Sequence, residues 1–92
     1  MDKFVIKRNG KYLPFKTFKI EEAIQKAFNS VSETYNPKVT EAVLLLLNHR
    51  DTLAVEDIQD SIEKVLFEYS HFEVMRSFMI YRHTRKMQRE HV

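Results

Sequence analysis

The sequence predicts an α+β fold that is mainly α: a four-helix bundle capped by a short N-terminal β-hairpin or small antiparallel sheet. Two observations carry this reading. An Asn-Gly pair separates two short runs rich in apolar residues near the N-terminus, and four later stretches repeat apolar residues every three or four positions. A third sets the scale, because 92 residues leave room for one domain spanning 1–92.

The hairpin is read from Phe4 to Arg8 and from Lys11 to Phe15, with Asn9-Gly10 supplying the two positive φ angles of a type I′ turn. Pro14 lacks an amide hydrogen, which places the second strand at a sheet edge. Thr17 is the expected N-cap of a first helix running to about Val31. Its buried face is Ile20, Ala23, Ile24, Ala27, Phe28 and Val31. Asn36 and Pro37 form the N-cap and first turn of a second helix that continues to about His49. Four successive leucines wrap most of its circumference, so it is either central to the core or covered from outside the chain. A third helix from about Val55 presents Ile58, Ile62, Val65, Leu66 and Tyr69. A fourth, from about Phe72 to Gln88, carries Met75, Phe78, Met79 and Arg82 on one stripe. Short loops between helices predict antiparallel neighbours.

Composition excludes several classes of function. With 43% apolar and 30% charged residues the chain has the make-up of an ordinary globular domain. There is no Cys, hence no disulfide, thiolate metal site or cysteine nucleophile, and the four His lack ligand spacing. Glu56, Asp57, Asp60 and Glu63 lie mainly on one helix without the loop of a calcium site, and read as a solvated face. No signal peptide or membrane-spanning run is present, so the expected compartment is the cytoplasm, with no membrane partner.

Charge is distributed unevenly. Residues 1–19 carry a net +5, residues 20–69 a net −6 and residues 70–92 a net +3. An up-and-down bundle returns the end of the fourth helix to the start of the first, where the hairpin attaches. The two basic termini would then form one patch suited to a phosphate. Lys7 and Arg8 precede the tight turn and, as adjacent strand residues, point to opposite faces. They are either solvated gatekeepers of an edge strand or ligands to an anion held beneath the hairpin. Arg82, His83, Arg85 and Lys86 either complement the negative end of the fourth helix or converge on the same anion. Lys16 and Lys19 would join the patch, along with the free amides of the first helix.

Four segments, taken in order, carry a resemblance: Val5-Ile6-Lys7-Arg8-Asn9-Gly10, the Phe15 to Ile20 helix opening, Val55-Glu56-Asp57-Ile58-Gln59-Asp60-Ser61-Ile62-Glu63, and Met79-Ile80-Tyr81-Arg82. Together, over about residues 3–88, the chain resembles an ATP-cone domain, the allosteric activity module at the N-terminus of many ribonucleotide reductases. The resemblance implies ATP or dATP held between the cap and the helices, with Mg²⁺ carried on the triphosphate. It places Val5 near the base and Lys7 and Arg8, with Arg85 or Lys86, on the phosphates. Asn9 and Gly10 of the turn belong to the same hairpin element, and Lys16, Lys19 and Ile20 line the nucleotide where the first helix begins. Val55 and Gln59 correspond to positions near the sugar, where ATP is told from dATP, and this chain departs there from members with Thr and His. Tyr81 matches an aromatic position near the base. Some cones hold a second nucleotide along the fourth helix, for which Ser77, Arg82 and His83 are the candidates.

What the resemblance implies is regulation without chemistry. The two effectors would favour different arrangements of the cone and its neighbours, with a coupling free energy of about 1 to 3 kcal/mol. The expected partners are the rest of a reductase subunit and further copies in a nucleotide-dependent homo-oligomer, with contacts through the second helix and the Met/Phe face of the fourth. The alternative is a helical nucleic-acid-binding or transcription-regulator module using the basic C-terminal helix, a reading weakened by a net charge of only +2. The related cone of a bacterial reductase-gene repressor comes with a Cys-rich zinc ribbon, which a chain without Cys does not have. An enzyme is disfavoured, since no activated nucleophile, acid/base pair or Gly-rich phosphate loop is present. The chain ends shortly after the last helix with no terminator, the pattern expected of a piece of a longer polypeptide.

Overall fold

Strands β1 (Phe4–Ile6) and β2 (Tyr12–Pro14) form an antiparallel hairpin in which Val5 faces Leu13 and Ile6 faces Tyr12. The computed structural model describes residues 3–7 and 9–90, with side chains described as far as Gln88. The turn differs from the expected two-residue type I′. Gly10 N–H donates to Lys7 O at 2.9 Å, Lys7 N–H donates to Lys11 O at 2.9 Å, and Asn9 Oδ1 accepts from Lys11 N–H at 3.0 Å. Gly10 takes φ +83° at the end of this longer loop, and one left-handed glycine there is enough to reverse the chain. Pro14 lies on the edge strand, as its missing donor requires.

The cap is not purely antiparallel. A third strand, β3 (Thr52–Ala54), pairs parallel with β1 on the side away from β2, giving the order β2-β1-β3. The sequence reading holds these residues in a loop. Register places Leu13, Val5 and Leu53 abreast, so their side chains share one face of the sheet. Leu53 on that face is fully buried. Lys3 ties the sheet to the helices, its Nζ donating to Leu47 O at 2.9 Å.

Four helices supply most of the core: α1 (Thr17–Ser30), α2 (Pro37–Leu47), α3 (Val55–Glu68) and α4 (Phe72–Glu90). Each packs on its neighbours, α1 on α2 and α4, and α3 on α2 and α4. Ile20, Ile24, Ala27 and Phe28 of α1 meet Val39, Val43 and Leu47 of α2, Ile62, Val65 and Leu66 of α3, and Val74 and Phe78 of α4. The leucine run does not make α2 central. Leu47 is buried, but Leu45 is 68% and Leu46 41% exposed.

Helix ends follow local chemistry. Asn36 caps α2 with Oδ1 accepting from Lys38 N–H at 3.1 Å, ahead of Pro37. Asp57 Oδ2 accepts from Ala54 N–H at 3.2 Å at the start of α3. Thr17 is the first residue of α1 and not its cap; Lys16 holds the cap position in extended conformation, without a side-chain bond to the helix. Both α1 and α3 stop at a left-handed serine, Ser32 (φ 57°) and Ser70 (φ 61°).

Candidate functional site

A cavity of about 410 Å³ opens between the hairpin, the first turns of α1 and α3, and the middle turns of α4. Nine of the residues singled out in the sequence line it: Val5, Lys7, Lys16, Lys19, Ile20, Val55, Gln59, Tyr81 and Arg85. Strand alternation puts Lys7 on the same face as Val5, Leu13 and Leu53, toward the helices. Lys16 and Lys19 arrive from the hairpin-to-helix junction. Helical spacing brings Val55, Gln59 and Ile62 onto one face of α3, and Phe78, Tyr81 and Arg85 onto one face of α4.

The electrostatics of the cavity are one-sided. Among the described residues, Lys7, Lys16, Lys19 and Arg85 line it, and no carboxylate does. None of the four is in an ion pair with a carboxylate among the described residues. The start of α1 adds amides that no side chain caps, with no acidic residue in its first turn. The remainder of the wall is apolar: Val5, Leu13, Phe15, Ile58 and Ile62 form a surface fitted to a flat or hydrophobic group.

Arg82, His83 and Lys86 do not join this cavity. They line a separate depression with Glu56, Glu63 and Met79 on the other side of α4. One residue step turns a helix by about 100°, so Tyr81 and Arg85 share one face while Arg82 and Lys86 share another. Arg82 is held there by Asp60, at 2.8 Å from Nη1, and by Glu63. Partial burial by itself would lower the Arg82 pKa; the hydrogen bonds and charges of Asp60 and Glu63 outweigh it and raise the guanidinium above its ordinary value. Asn9 and Gly10 sit exposed in the turn and away from the cavity lining. Arg8 lies outside the described residues.

Ser77 lines a second cleft of about 510 Å³ between α1 and α4, with Phe18, Glu22, Lys26 and Ser30. Ser77 and Ser30 hydrogen-bond through their hydroxyls across it. Lys19, Ala23, Phe78 and Tyr81 belong to both clefts, so the two adjoin along α1 and α4. No group of His, Asp and Glu side chains among the described residues is arranged to hold a metal ion. No helix among them is long and apolar enough to cross a membrane.

Sequence reasoning missed the apolar part of the wall: Leu13, Phe15, Ala23, Ile58, Ile62 and Phe78. Signals were present for some. Leu13 stands two residues from Phe15 on an alternating strand, and Ile62 lies three residues beyond Gln59 on α3, but both read equally well as plain core.

Comparison with known proteins fits this geometry. The sequence profile of the ATP cone domain matches residues 3–87. The chain is 36% identical to the ribonucleoside-diphosphate reductase subunit alpha of Treponema pallidum (strain Nichols), over 92% of the chain and 11% of that protein. It is 33% identical to the anaerobic ribonucleoside-triphosphate reductase of Salmonella typhimurium, over 98% of the chain and 13% of that protein. It is 34% identical to the vitamin B12-dependent ribonucleoside-diphosphate reductase of Thermoplasma acidophilum, over 98% of the chain and 13% of that protein. The chain therefore spans little more than a tenth of the length of these relatives.

Proposed function

This chain belongs to the ATP-cone domain family, and on that premise we propose that it is an allosteric regulatory domain of a ribonucleotide reductase subunit, binding ATP or dATP in the cavity beneath the hairpin. The observation that carries this is four cations without a carboxylate, among the described residues, around a cavity that also has an apolar wall. The cations and the uncapped start of α1 hold the triphosphate, and the apolar wall takes the base, with Tyr81 beside it. Charge-assisted hydrogen bonds contribute about 1.5 to 3 kcal/mol each, so three or four of them support micromolar affinity after the losses of ordering.

Mg²⁺ enters on the phosphate oxygens. The described residues of the cavity lining offer it no carboxylate, and a magnesium ion satisfied by phosphate and water asks for none. The domain contributes no reacting group. Its output is a shift in population between arrangements of the subunit and of its oligomer, driven by the difference in binding between the effectors.

The neighbouring α1–α4 cleft supports a second reading for the same ligand class, two nucleotides per domain. Its walls include Phe18 and Tyr81 for stacking and Lys19 and Lys26 for charge, and it adjoins the first cavity along Lys19 and Tyr81.

Calorimetric titration with ATP, dATP and a short DNA duplex tests both readings. Micromolar nucleotide binding and negligible duplex binding at physiological salt is the expected result. Duplex binding without nucleotide binding overturns the proposal in favour of a nucleic-acid module, and a stoichiometry of one removes the second nucleotide.

A further inference from the structure

Lys3 precedes Val5 by two residues and Lys7 by four, and strand alternation turns all three toward the helices. Val5 and Lys7 line the cationic cavity; Lys3 does not. Its ammonium makes two contacts behind the wall. Nζ donates to Leu47 O at 2.9 Å, at the negative end of α2, and lies over the Phe15 ring, 5.9 Å from the centroid. The main chain repeats the second link, because Phe15 N–H donates to Lys3 O at 2.9 Å. Ring and backbone of Phe15 are therefore both held by one residue.

Phe15 gives these contacts a consequence for the ligand. It stands in the apolar wall of the cavity and directly precedes Lys16, from which α1 begins. A half-buried aromatic ring at the end of a strand has more than one staggered orientation open to it. A cation over the ring, anchored in turn to a helix-terminal carbonyl, selects one of them and fixes where that part of the wall lies.

Resting on the reading that this cavity takes an adenine nucleotide, we infer that Lys3 is a positioning residue for that ligand: it acts through Phe15, setting the ring against the nucleoside half, and makes no contact with phosphate itself. A cation over an aromatic ring changes an equilibrium by about two- to thirtyfold. Loss of the Lys3 ammonium is felt by the part of the ligand that ATP, ADP and AMP have in common. Loss of a phosphate-facing cation is felt according to the number of phosphates.

The test measures ATP, ADP and AMP affinities by calorimetry for the wild type, Lys3→Met, Phe15→Leu and the double variant, at a temperature where circular dichroism shows each to be folded. Lys3→Met keeps the apolar stem and removes the ammonium. It is expected to weaken all three nucleotides by one factor, about three- to tenfold. In the Phe15→Leu background the same substitution costs less than about twofold, because the ring it acts through is gone. Lys3→Arg, which supplies a donor and a cation that stacks on aromatic rings, recovers part of the affinity. A loss that shrinks from ATP to AMP makes Lys3 one more phosphate-facing cation and overturns the inference, as does an undiminished loss in the Phe15→Leu background or unchanged affinity in Lys3→Met. Wild-type protein that binds none of the three overturns the reading of the cavity itself, independently of Lys3.

Discussion

Asn36 and His71 are joined through a single amide whose two ends do different work: Oδ1 caps α2 by accepting from Lys38 N–H at 3.1 Å, and Nδ2 meets His71 Nε2 at 3.2 Å. Because the oxygen is committed to the cap, the nitrogen must face the imidazole, so Nε2 accepts and the ring proton sits on Nδ1. Nδ1 lies 3.3 Å from Glu33 Oε2, and the ring packs edge-on against the fully buried Phe28 at 4.9 Å between centroids. The chain leaving α1, the start of α2 and the α3–α4 turn are thus joined by one histidine. Nitrogen-15 NMR of the ring at neutral pH should show the Nδ1–H tautomer. Asn36→Ala, which removes the cap and the donor together, should cost about 1 to 2 kcal/mol in urea unfolding.

Asn36→Asp separates those two roles. The introduced carboxylate keeps the capping oxygen but turns a second oxygen toward Nε2, so His71 would face an acceptor at both nitrogens, the new side chain at one and Glu33 at the other. The variant should therefore keep the cap of α2 while losing the donor to Nε2, and cost less in urea unfolding than Asn36→Ala. Equal losses in the two variants would remove the capping oxygen from the account.

Ser32 and Ser70 end α1 and α3 in the left-handed region, at φ 57° and 61°. Behind each, a backbone amide reaches back to close the helix, Glu33 N–H to Phe28 O at 3.0 Å and His71 N–H to Leu66 O at 2.8 Å. This is the position at which glycine is favoured, because a Cβ in this conformation meets the carbonyl. Ser32→Gly and Ser70→Gly should each raise the unfolding free energy by about 0.5 to 1 kcal/mol, and the double variant should depart from additivity, because Glu33 and His71, which follow the two serines, meet at 3.3 Å. Replacement by Val, whose branched Cβ aggravates the crowding, should move stability the other way.

Arg82 crosses from α4 to Asp60 and Glu63 of α3, with Glu63 only 19% exposed at its side chain. Removing the guanidinium leaves that carboxylate poorly solvated, so Arg82→Met should destabilise the α3–α4 pair by about 1 to 3 kcal/mol. Both contacts leave the one nitrogen Nη1, so lysine, which keeps the charge, should restore part of the loss. The raised pKa gives the sign of the pH dependence. The contribution is complete below the ordinary arginine value and is lost only in strong alkali, so no change should appear between pH 6 and pH 9 from this group. Because Arg82 faces away from the cationic cavity, nucleotide affinity should stay within about twofold of wild type when compared under folded conditions.

Much of this was legible because it is local. The hairpin, the Asn36-Pro37 start of α2 and the buried stripes of α1 and α3 follow from turn chemistry and a 3.6-residue period. β3 was not legible. Thr52–Ala54 is too short to show alternation, and its partner β1 lies almost fifty residues earlier in a parallel pairing that no turn announces. The leucine run misled because four adjacent leucines cannot all face one side of a helix, and Leu45 and Leu46 take the exposed side. In the cavity, the cations stood out by charge, whereas helical phase, which separates Arg85 from Arg82, was the available but unused guide to which of them meet. Gln59 drew notice from its place in a motif, but the burial of its unpaired oxygen depends on packing and leaves no trace in the chain.

The four cavity cations lead to a prediction about salt and phosphate number. Lys7, Lys16, Lys19 and Arg85 come from three separate elements, lack carboxylate partners among the described residues, and are exposed in the free protein. Each then contributes little to folding, since an exposed unpaired cation near others of its sign gains no stability from them. In the proposed complex each faces phosphate instead, where a charge-assisted bond is worth about 1.5 to 3 kcal/mol, or roughly ten- to a hundredfold in affinity. Lys7→Ala and Arg85→Ala should accordingly weaken ATP binding at least about tenfold while leaving the melting temperature nearly unchanged or slightly higher. The same variants should lose progressively less toward ADP and AMP, as the phosphates they face are removed. Raising salt from 50 mM to 500 mM should weaken ATP more than AMP in the wild type and narrow that difference in the variants, because screening acts on the charges that substitution has already removed. A salt slope equal for ATP and AMP would separate the cations from the phosphates.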